Sequence, residues 1–596
     1  MFTPIRVYKM TTMNEVMMTT DSTENSARWA ARVTVADGLF VIVAMVAAVM
    51  RLVNLDSLPL SPDEATQAWQ TWAFWRPETA VVLTGSPAYF TLTTLSAQVM
   101  GYSDSVMRLV PALFGVGVVL LPWLGRRTLG TVGALVTSAL LALSPLQVVI
   151  ARTVGGDASA IFALLLLVMA YVRWRETAVS HWPAVLLAAV GLGLATSPLF
   201  YSGIVTLGVA WGIHRVIGLP LFATEAPEVS RDGWKTAVFV GLGVFIAAGS
   251  MMLWHPAGLG AAARQSVNWF SRFSTGAAAV VITDPFLATA RYEPILVTLG
   301  LVIILWASWR SHPLASFCIY WIAAILLLIL AQRGVMSNAV LLTLPGFLMI
   351  GLFANELLKT RLSNMGWLVA AGSFLMFVLT LVNLARYVRR FPYEPEQMGN
   401  VWMIVFAFAM GLTILYFILS LDIKAAYQGI LLGLLGFFLF FNWGTSWWLG
   451  HHAANDTRER WVTEGTDDDV RMMIPVIQEV SQQAANSIHD LDILSSVDSP
   501  ALRWYLRDYE RIQFSDTLPS GTDNEVIITP TDVEPALGSD YMGGDYGLTR
   551  QKPATLDVGS QVPLMDTLRW WFFQESPVFV PETRVILWLR ADILAQ

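Results

Sequence analysis

Cysteine occurs once in 596 residues, histidine seven times, and charged side chains make up only 14% of the chain. The lone Cys318 sits in an apolar run, which excludes an intramolecular disulfide and speaks against thiol chemistry. The scattered histidines, His255, His451 and His452 among them, lack companions at metal-ligand spacing, so no metal or other cofactor is expected. Soluble globular chains carry about 25% charged residues; the shortage here excludes a fold that is water-soluble throughout. There is no basic patch of the kind that nucleic-acid binding needs. Internal repeats and low-complexity segments are also missing.

Apolar sequence is abundant. Hydrophobic residues make up 55% of the chain and the mean hydropathy is +0.56. A spanning helix needs ~20 mostly apolar residues. Candidate runs lie at 36–55, 106–124, 130–150, 158–174, 183–199, 200–217, 236–254, 293–309, 313–331, 338–357, 366–384, 401–421 and 426–448, which predicts an α-helical polytopic membrane protein with about thirteen spans. The stretch from Ala88 to Met100 is shorter and Thr-rich, and reads as an interfacial or partly inserted helix. Residues 1–35 read as a cytoplasmic tail: Met1 to Arg32 is polar and too long for the n-region of a cleaved signal peptide.

Charge divides the remainder. Residues 450–596 hold 24 acidic and 11 basic side chains, and the preceding 449 residues hold 20 and 26. The expected organisation is a membrane domain over 36–449 and an acidic soluble domain over 450–596. Lys and Arg favour the cytoplasmic ends of spans. With the N-terminus inside, that rule accounts for Arg126, Arg127, Arg173, Arg175, Arg215, Arg231, Lys235, Arg310, Lys359, Arg361 and Lys424. It places the loops 56–105, 151–157 and 255–291 outside, together with the acidic domain, and so predicts a multi-pass cell-membrane protein with an extracytoplasmic C-terminal domain. Arg386, Arg389 and Arg390 break the rule; they are either a snorkelling helix end or a patch for lipid phosphates.

The acidic region reads as α/β. "DDDVRMMIPVIQEVSQQA" (467–484) has acids at its start and apolar residues at helical spacing. "DLDILSSV", "EVIITP" and "RVILWLR" read as strands and "SPALRWYLRDY" as a capped helix, which predicts a small open sheet. This region has no Gly-rich phosphate loop and no metal-ligand cluster.

"SPDEATQAWQTWAFW", Ser61 to Trp75, follows the first apolar run. Ser61 suits an N-cap, Pro62 the first helical position, and Glu64 completes a capping box. Asp63 sits where the helix dipole favours an anion. Trp69, Trp72 and Trp75 suit a membrane interface. Capping explains Glu64 better than Asp63. A carboxylate held at the bilayer surface can instead act on a lipid-linked substrate whose headgroup lies at that depth, taking a proton from an acceptor hydroxyl.

"RLVNLDSLPLSPDEA" resembles the first-loop signature of the GT-C glycosyltransferases, most closely the protein O-mannosyltransferase and aminoarabinose-transferase branch. "GSPAYFTLTTLSAQVMGYSDSVMRLVPALFGV" is similar to that branch's next pattern, and "ALSPLQVVIARTVGGDAS" to its S-P-x₆-R-x₄-D stretch. The resemblance is good over 36–180 and looser beyond; "RYEPILVTLGL", "WYLRDY" and "ILWLR" are similar to a prokaryotic subgroup. It implies a catalytic acidic pair, Asp63 and Glu64, with Asp63 as the base, and site roles for Arg152 and Asp157. The family's usual "H-P-P-L" reads "SPAYF" here, so Ser86 stands in place of a histidine.

The resemblance also implies a donor, a sugar on polyprenyl phosphate, and inversion at the anomeric carbon. Partners would be membrane lipids and an acceptor glycan, lipid or protein. Positive charge must stabilise the leaving phosphate. Arg333, Arg264, Arg272 and Arg291 stand near outer helix ends and are candidates; Arg264 and Arg272, eight apart, equally suit an amphipathic interfacial helix. Arg152 and Asp157 can pair with each other. Tyr292 and Glu293 begin a span, where a glutamate is either a dipole partner or a sugar ligand. Other GT-C branches hold a divalent ion between carboxylates, and Asp63, Glu64 and Asp157 are the residues that could do so here. A flippase would call for charged or broken helices at mid-membrane depth and often a repeat. A non-catalytic assembly protein would depend on residues 455–596 rather than Asp63.

Overall fold

The computed structural model describes residues 34–594 apart from 77–81, 178, 180, 218–220, 222–226, 275–281, 311, 360–361, 391–404, 410, 412–421, 554–563 and 574–579. The N-terminal tail and most of the expected span 401–421 lie outside the described residues. The other expected spans are helical over most of their length.

The first helix, α1 (Val35–Leu52), is followed by three helices that carry the first loop back into the bundle: α2 (Pro62–Ala73), α3 (Pro87–Met100) and α4 (Asp104–Leu120). Then come α5 (Thr131–Leu143), α6 (Pro145–Arg152), α7 (Asp157–Thr177), α8 (Trp182–Leu194), α9 (Pro198–Ile217) and α10 (Arg231–Gly249). The third loop holds α11 (Ala257–Ser271) and α12 (Asp284–Tyr292); α13 (Pro294–Arg310), α14 (Pro313–Ala331), α15 (Thr343–Leu357), α16 (Asn364–Arg390) and α17 (Ile423–His451) complete the bundle. Among the described residues eight helices are long and apolar enough to cross a membrane, ten when two bent pairs each count as one span.

The bends have local causes. Proline removes a backbone donor and clashes with the preceding turn, so α5 and α6 break by 56° at Ser144–Pro145 and α12 and α13 by 91° at Glu293–Pro294. A break at this depth frees N–H groups that lipid cannot satisfy. The two breaks satisfy each other. Buried Glu293 accepts hydrogen bonds from the Ser144 hydroxyl, from Leu146 N (3.3 Å) and from Asn442 Nδ2 (3.3 Å) on α17. Glu293 is thus a dipole partner, but of α6 rather than of its own helix.

Residues 464–594 form the small sheet domain. Its six strands are β1 (Glu464–Thr466), β2 (Ile493–Ser495), β3 (Ile512–Phe514), β4 (Val526–Pro530), β5 (Tyr541–Gln551) and β6 (Glu582–Arg590), in the order β1-β5-β6-β4-β2-β3. β2 runs parallel to β3 and β4, and the other pairs are antiparallel. Helix α18 (Asp469–Ala485) lays Val470, Met473, Ile477 and Val480, spaced at 3.6, into one core with Val526, Ile528, Val585 and Leu587. Each such buried side chain stabilises by about 1.5–3 kcal/mol. The strands β1, β3 and β5 had no sequence signal of their own: two are three residues long, and β5 contains "GGDYG".

This domain is fastened to the first loop. Asp104, at the start of α4, accepts from Trp504 Nε1 (2.8 Å) and Tyr505 Oη (2.8 Å) and pairs with Arg471 (3.2 Å). Leu60 N donates to Tyr505 Oη (2.9 Å), and Thr466 Oγ1 to Leu60 O (2.6 Å). Trp69 and Trp72 pack in the same cluster as Trp504, so they serve this junction instead of anchoring in lipid. A second fastening joins the third loop: Asp284, fully buried, pairs with Arg460 and Lys552 at 2.5 Å each. Asp104→Ala removes three partners at once, each hydrogen bond being worth about 0.5–1.5 kcal/mol net. Hydrogen exchange over residues 464–594 should quicken in that variant while the spans keep their protection.

Candidate functional site

Leaving α1, the chain turns through Asn54 at φ +49° and runs irregularly to Ser61, exposing a row of carbonyls. Two buried arginines collect them. Arg152, ending α6, donates to Arg51 O (3.3 Å), Val53 O (2.7 Å) and Asn54 O (2.6 Å), and across to Gly450 O (2.8 Å). Arg108, on α4, donates to Leu55 O (3.0 Å), Leu58 O (2.7 Å) and Pro59 O (3.0 Å). Arg108 also grips both oxygens of Glu64, at 3.0 and 2.7 Å.

Ser61 caps α2 and Glu64 returns the hydrogen bond to Ser61 N (2.9 Å), as the sequence implies. Glu64 accepts from Val154 N as well (2.7 Å). A carboxylate with four donors is a strut. It ties α2 to α4 and to the turn after α6, and has no lone pair directed at a substrate; the catalytic role expected for Glu64 is therefore replaced by a structural one. Asp63 differs. No hydrogen bond or ion pair joins its carboxylate to any described residue, and it lines a cavity of about 490 Å³. Its side chain is exposed to solvent, at the wall of this open cavity. Desolvation, and secondly the charge of Glu64, push its carboxyl above the ordinary carboxylate range.

The same cavity is lined by Asp157 at the start of α7, by Arg272 at the end of α11, by Gln67, Thr84, Ser86, Ser197, Gln265 and Asn268, and by Glu464 from β1. Asp157 has no hydrogen-bond partner among the described residues; it and Arg152 do not pair, because Arg152 is fully engaged with carbonyls. Arg272 Nη1 is buried and has no hydrogen-bond partner among the described residues. Desolvation lowers the Arg272 proton affinity, partly offset by the nearby charge of Asp157. Burial, then Asp63, raise the Glu464 carboxyl. Asp63, Glu64 and Asp157 form no metal-ligand set: no group of three or more His, Cys, Asp or Glu among the described residues could hold a metal ion.

Five expected site residues lie elsewhere. Arg264 donates to Leu83 O (3.1 Å), bracing the cavity wall from behind. Arg333 is exposed past the end of α14 and does not line the cavity. Tyr292 is buried and donates to Glu459 (2.5 Å), and Glu293 serves the helix breaks. Arg291 faces the Trp571 ring at 5.6 Å. Arg386 and Arg389 are exposed, Arg389 lying 5.7 Å from the Phe573 ring. Ser86 is at the cavity wall and caps α3 through Tyr89 N (3.1 Å). Gln67 and Glu464 went unnoticed in the sequence. Gln67 had one available signal, its position four residues after Asp63; Glu464 had none, since it reaches the site only through domain docking.

Solved structures share this arrangement of chain. ArnT from Cupriavidus metallidurans bound to undecaprenyl phosphate matches with a TM-score of 0.54 at 15% identity, over 88% of this chain and 99% of that one. The fold is therefore that of ArnT, over most of this chain and nearly all of the other. The apo state of the same ArnT gives 0.49 at 16%, covering 84% and 94%. The Archaeoglobus fulgidus oligosaccharyltransferase in the apo form gives 0.43 at 11%, covering 80% of this chain and 64% of that one. A family model described as dolichyl-phosphate-mannose-protein mannosyltransferase matches residues 84–212. That stretch includes Ser86, Arg108, Arg152 and Asp157; Asp63, Arg272 and Glu464 lie outside it. No curated protein matches the sequence.

Two outcomes separate the adjacent acids Asp63 and Glu64. Removing one member of a buried ion pair costs about 3–5 kcal/mol, so Glu64→Leu or Arg108→Met should sharply lower the Tm. Asp63 behaves oppositely. Its folded-state pKa is raised, so its favourable contribution is present below the ordinary value of 3.8 and is lost as pH rises through the folded value. Asp63→Asn should therefore melt above wild type near neutral pH, with the gap closing as the pH falls below 3.8.

Proposed function

We propose that this protein is an integral-membrane glycosyltransferase, moving a sugar from a polyprenyl-phosphate carrier to an acceptor hydroxyl at the outer membrane face. One observation carries the reading: Asp63, a carboxylate with raised proton affinity, and Arg272, whose Nη1 is buried, share one cavity at the end of an apolar bundle, and neither is hydrogen-bonded to a described residue there. The outward orientation rests on the distribution of Lys and Arg. The likeness to ArnT, whose solved structure holds undecaprenyl phosphate, supports a polyprenyl carrier.

In this reading Asp63 accepts the acceptor's hydroxyl proton as the oxygen attacks the anomeric carbon. The bond from that carbon to the phosphate oxygen breaks, and its electron pair leaves on the lipid phosphate. Direct displacement inverts the anomeric centre. A carboxylate with a raised pKa is a better base at neutral pH. Arg272 meets the charge developing on the phosphate, in a walled cavity where such an interaction is strong. Arg108 and Arg152 act by holding the first loop. Asp157 sets the orientation of Arg272, and the acidic domain closes one wall with Glu464.

The test is transfer from radiolabelled polyprenyl-phosphate sugars to envelope acceptors by purified protein in liposomes. Asp63→Asn should lower turnover by about 10²–10⁴-fold without loss of Tm. Turnover at the wild-type rate would remove Asp63 from the mechanism. Arg272→Ala should weaken undecaprenyl phosphate binding.

A further inference from the structure

Gln67 stands one helical turn beyond Asp63 on the same face of α2, and the two side chains line the cavity side by side. Its amide lies against two glycines. A Cβ at Gly85 would come within 2.5 Å of Gln67 Oε1 and 2.8 Å of Cδ, closer than such atoms approach. A Cβ at Gly155 would stand 3.6 Å from Nε2, and Gly155 holds φ +144°, a backbone state that side chains disfavour. The amide fits because positions 85 and 155 carry no side chain.

Within that slot Gln67 Oε1 is enclosed against Gly85 and has no hydrogen-bond partner among the described residues. The neighbouring glutamines are different. Gln70 Nε2 donates to Thr84 Oγ1 (2.9 Å), and Gln265 Nε2 donates to Gly85 O (2.7 Å), so both hold the cavity wall in place. Gln67 Nε2 is not enclosed in this way and donates to no described residue, so the donor side of the amide is the side open to the cavity.

We propose that Gln67 reads a hydroxyl of the transferred sugar. Nε2 donates to a hydroxyl or ring oxygen of the sugar, while Oε1 stays seated against Gly85 and fixes the plane of the amide. Residues four apart on a helix have Cβ atoms about 5–6 Å apart, so Gln67 contacts the sugar ring while Asp63 faces the acceptor. Arg272, on the opposite element, holds the phosphate. The assignment rests on the reading of this cavity as a site of glycosyl transfer. It makes Gln67 a specificity-determining residue: a site built to hydrogen-bond a substrate hydroxyl discriminates strongly against a ligand lacking it.

The experiment measures binding to the full-length protein in nanodiscs. The probes are undecaprenyl phosphate itself and undecaprenyl phosphate carrying mannose, glucose, galactose or arabinose. Wild type should bind at least one glycosylated carrier more tightly than the bare one. Gln67→Met keeps the length and bulk of the side chain and removes its hydrogen bonding. It should lose that increment, by about tenfold or more, while its affinity for bare undecaprenyl phosphate and its Tm stay at wild-type values. The unchanged bare-carrier affinity serves as the folding control, and Gln67→Leu is the second variant. An increment that survives in both variants overturns the assignment of Gln67, and so does a wild type that binds bare and glycosylated carriers equally; either result leaves the phosphate-carrier reading standing. A wild type that binds no carrier at all overturns the donor reading itself, and this proposal with it.

Discussion

Six backbone carbonyls between Arg51 and Pro59 have no helix or sheet to satisfy them, and two guanidiniums do so instead. Arg152 takes the first three and Arg108 the last three. A planar fork of donors suits this task in a way that an ammonium cannot. The consequence reaches the chemistry. Because Arg108 also takes both oxygens of Glu64, the start of α2 is fixed in position and direction, and the adjacent Asp63 is left without a partner. One acid of the pair is immobilised so that the other can remain free.

The rest of the site is brought to that fixed point from distant parts of the chain. Gln70, Arg264 and Gln265 pin the wall at 83–85. The broken helices around Ser144 and Glu293 deliver the end of α6, and with it Arg152, to the first loop. The acidic domain adds Glu464, and its docking through Asp104 and Asp284 is what closes that side of the cavity. Each fastening has several partners, part-buried at Asp104 and fully buried at Asp284, so the domain reads as part of the body that builds the cavity rather than as an appendage on a linker.

Much of this was legible in the sequence. Long apolar runs announced the helices, since lipid demands internally satisfied backbone over some twenty residues. The capping box at Ser61 and Glu64 was local and was seen. The resemblance pointed to Asp63, Arg152 and Asp157, yet it could not separate a ligand contact from a scaffold contact. Arg152 and Glu64 have the residue types and position of active-site groups, but their partners are main-chain atoms and Arg108. Arg264 stands mid-way along the helix that Arg272 ends, and only packing decides that the first braces the wall while the second enters the cavity. Tyr292 and Glu293 looked like ligands at a helix start and are core hydrogen-bonding groups.

The sequence by itself determined the lipid-embedded helical class, the acidic α/β domain and the acidic pair at the end of the first span. These follow from composition and from contacts within a few residues, where spacing alone decides which side chains meet. Tertiary structure decided which of two neighbouring acids stays free, which arginines bind main chain, and that Gln67, Arg272 and Glu464 face Asp63. Those outcomes depend on contacts between residues tens to hundreds of positions apart. There the identity of a side chain says what it can bind, and only the fold says what lies within its reach.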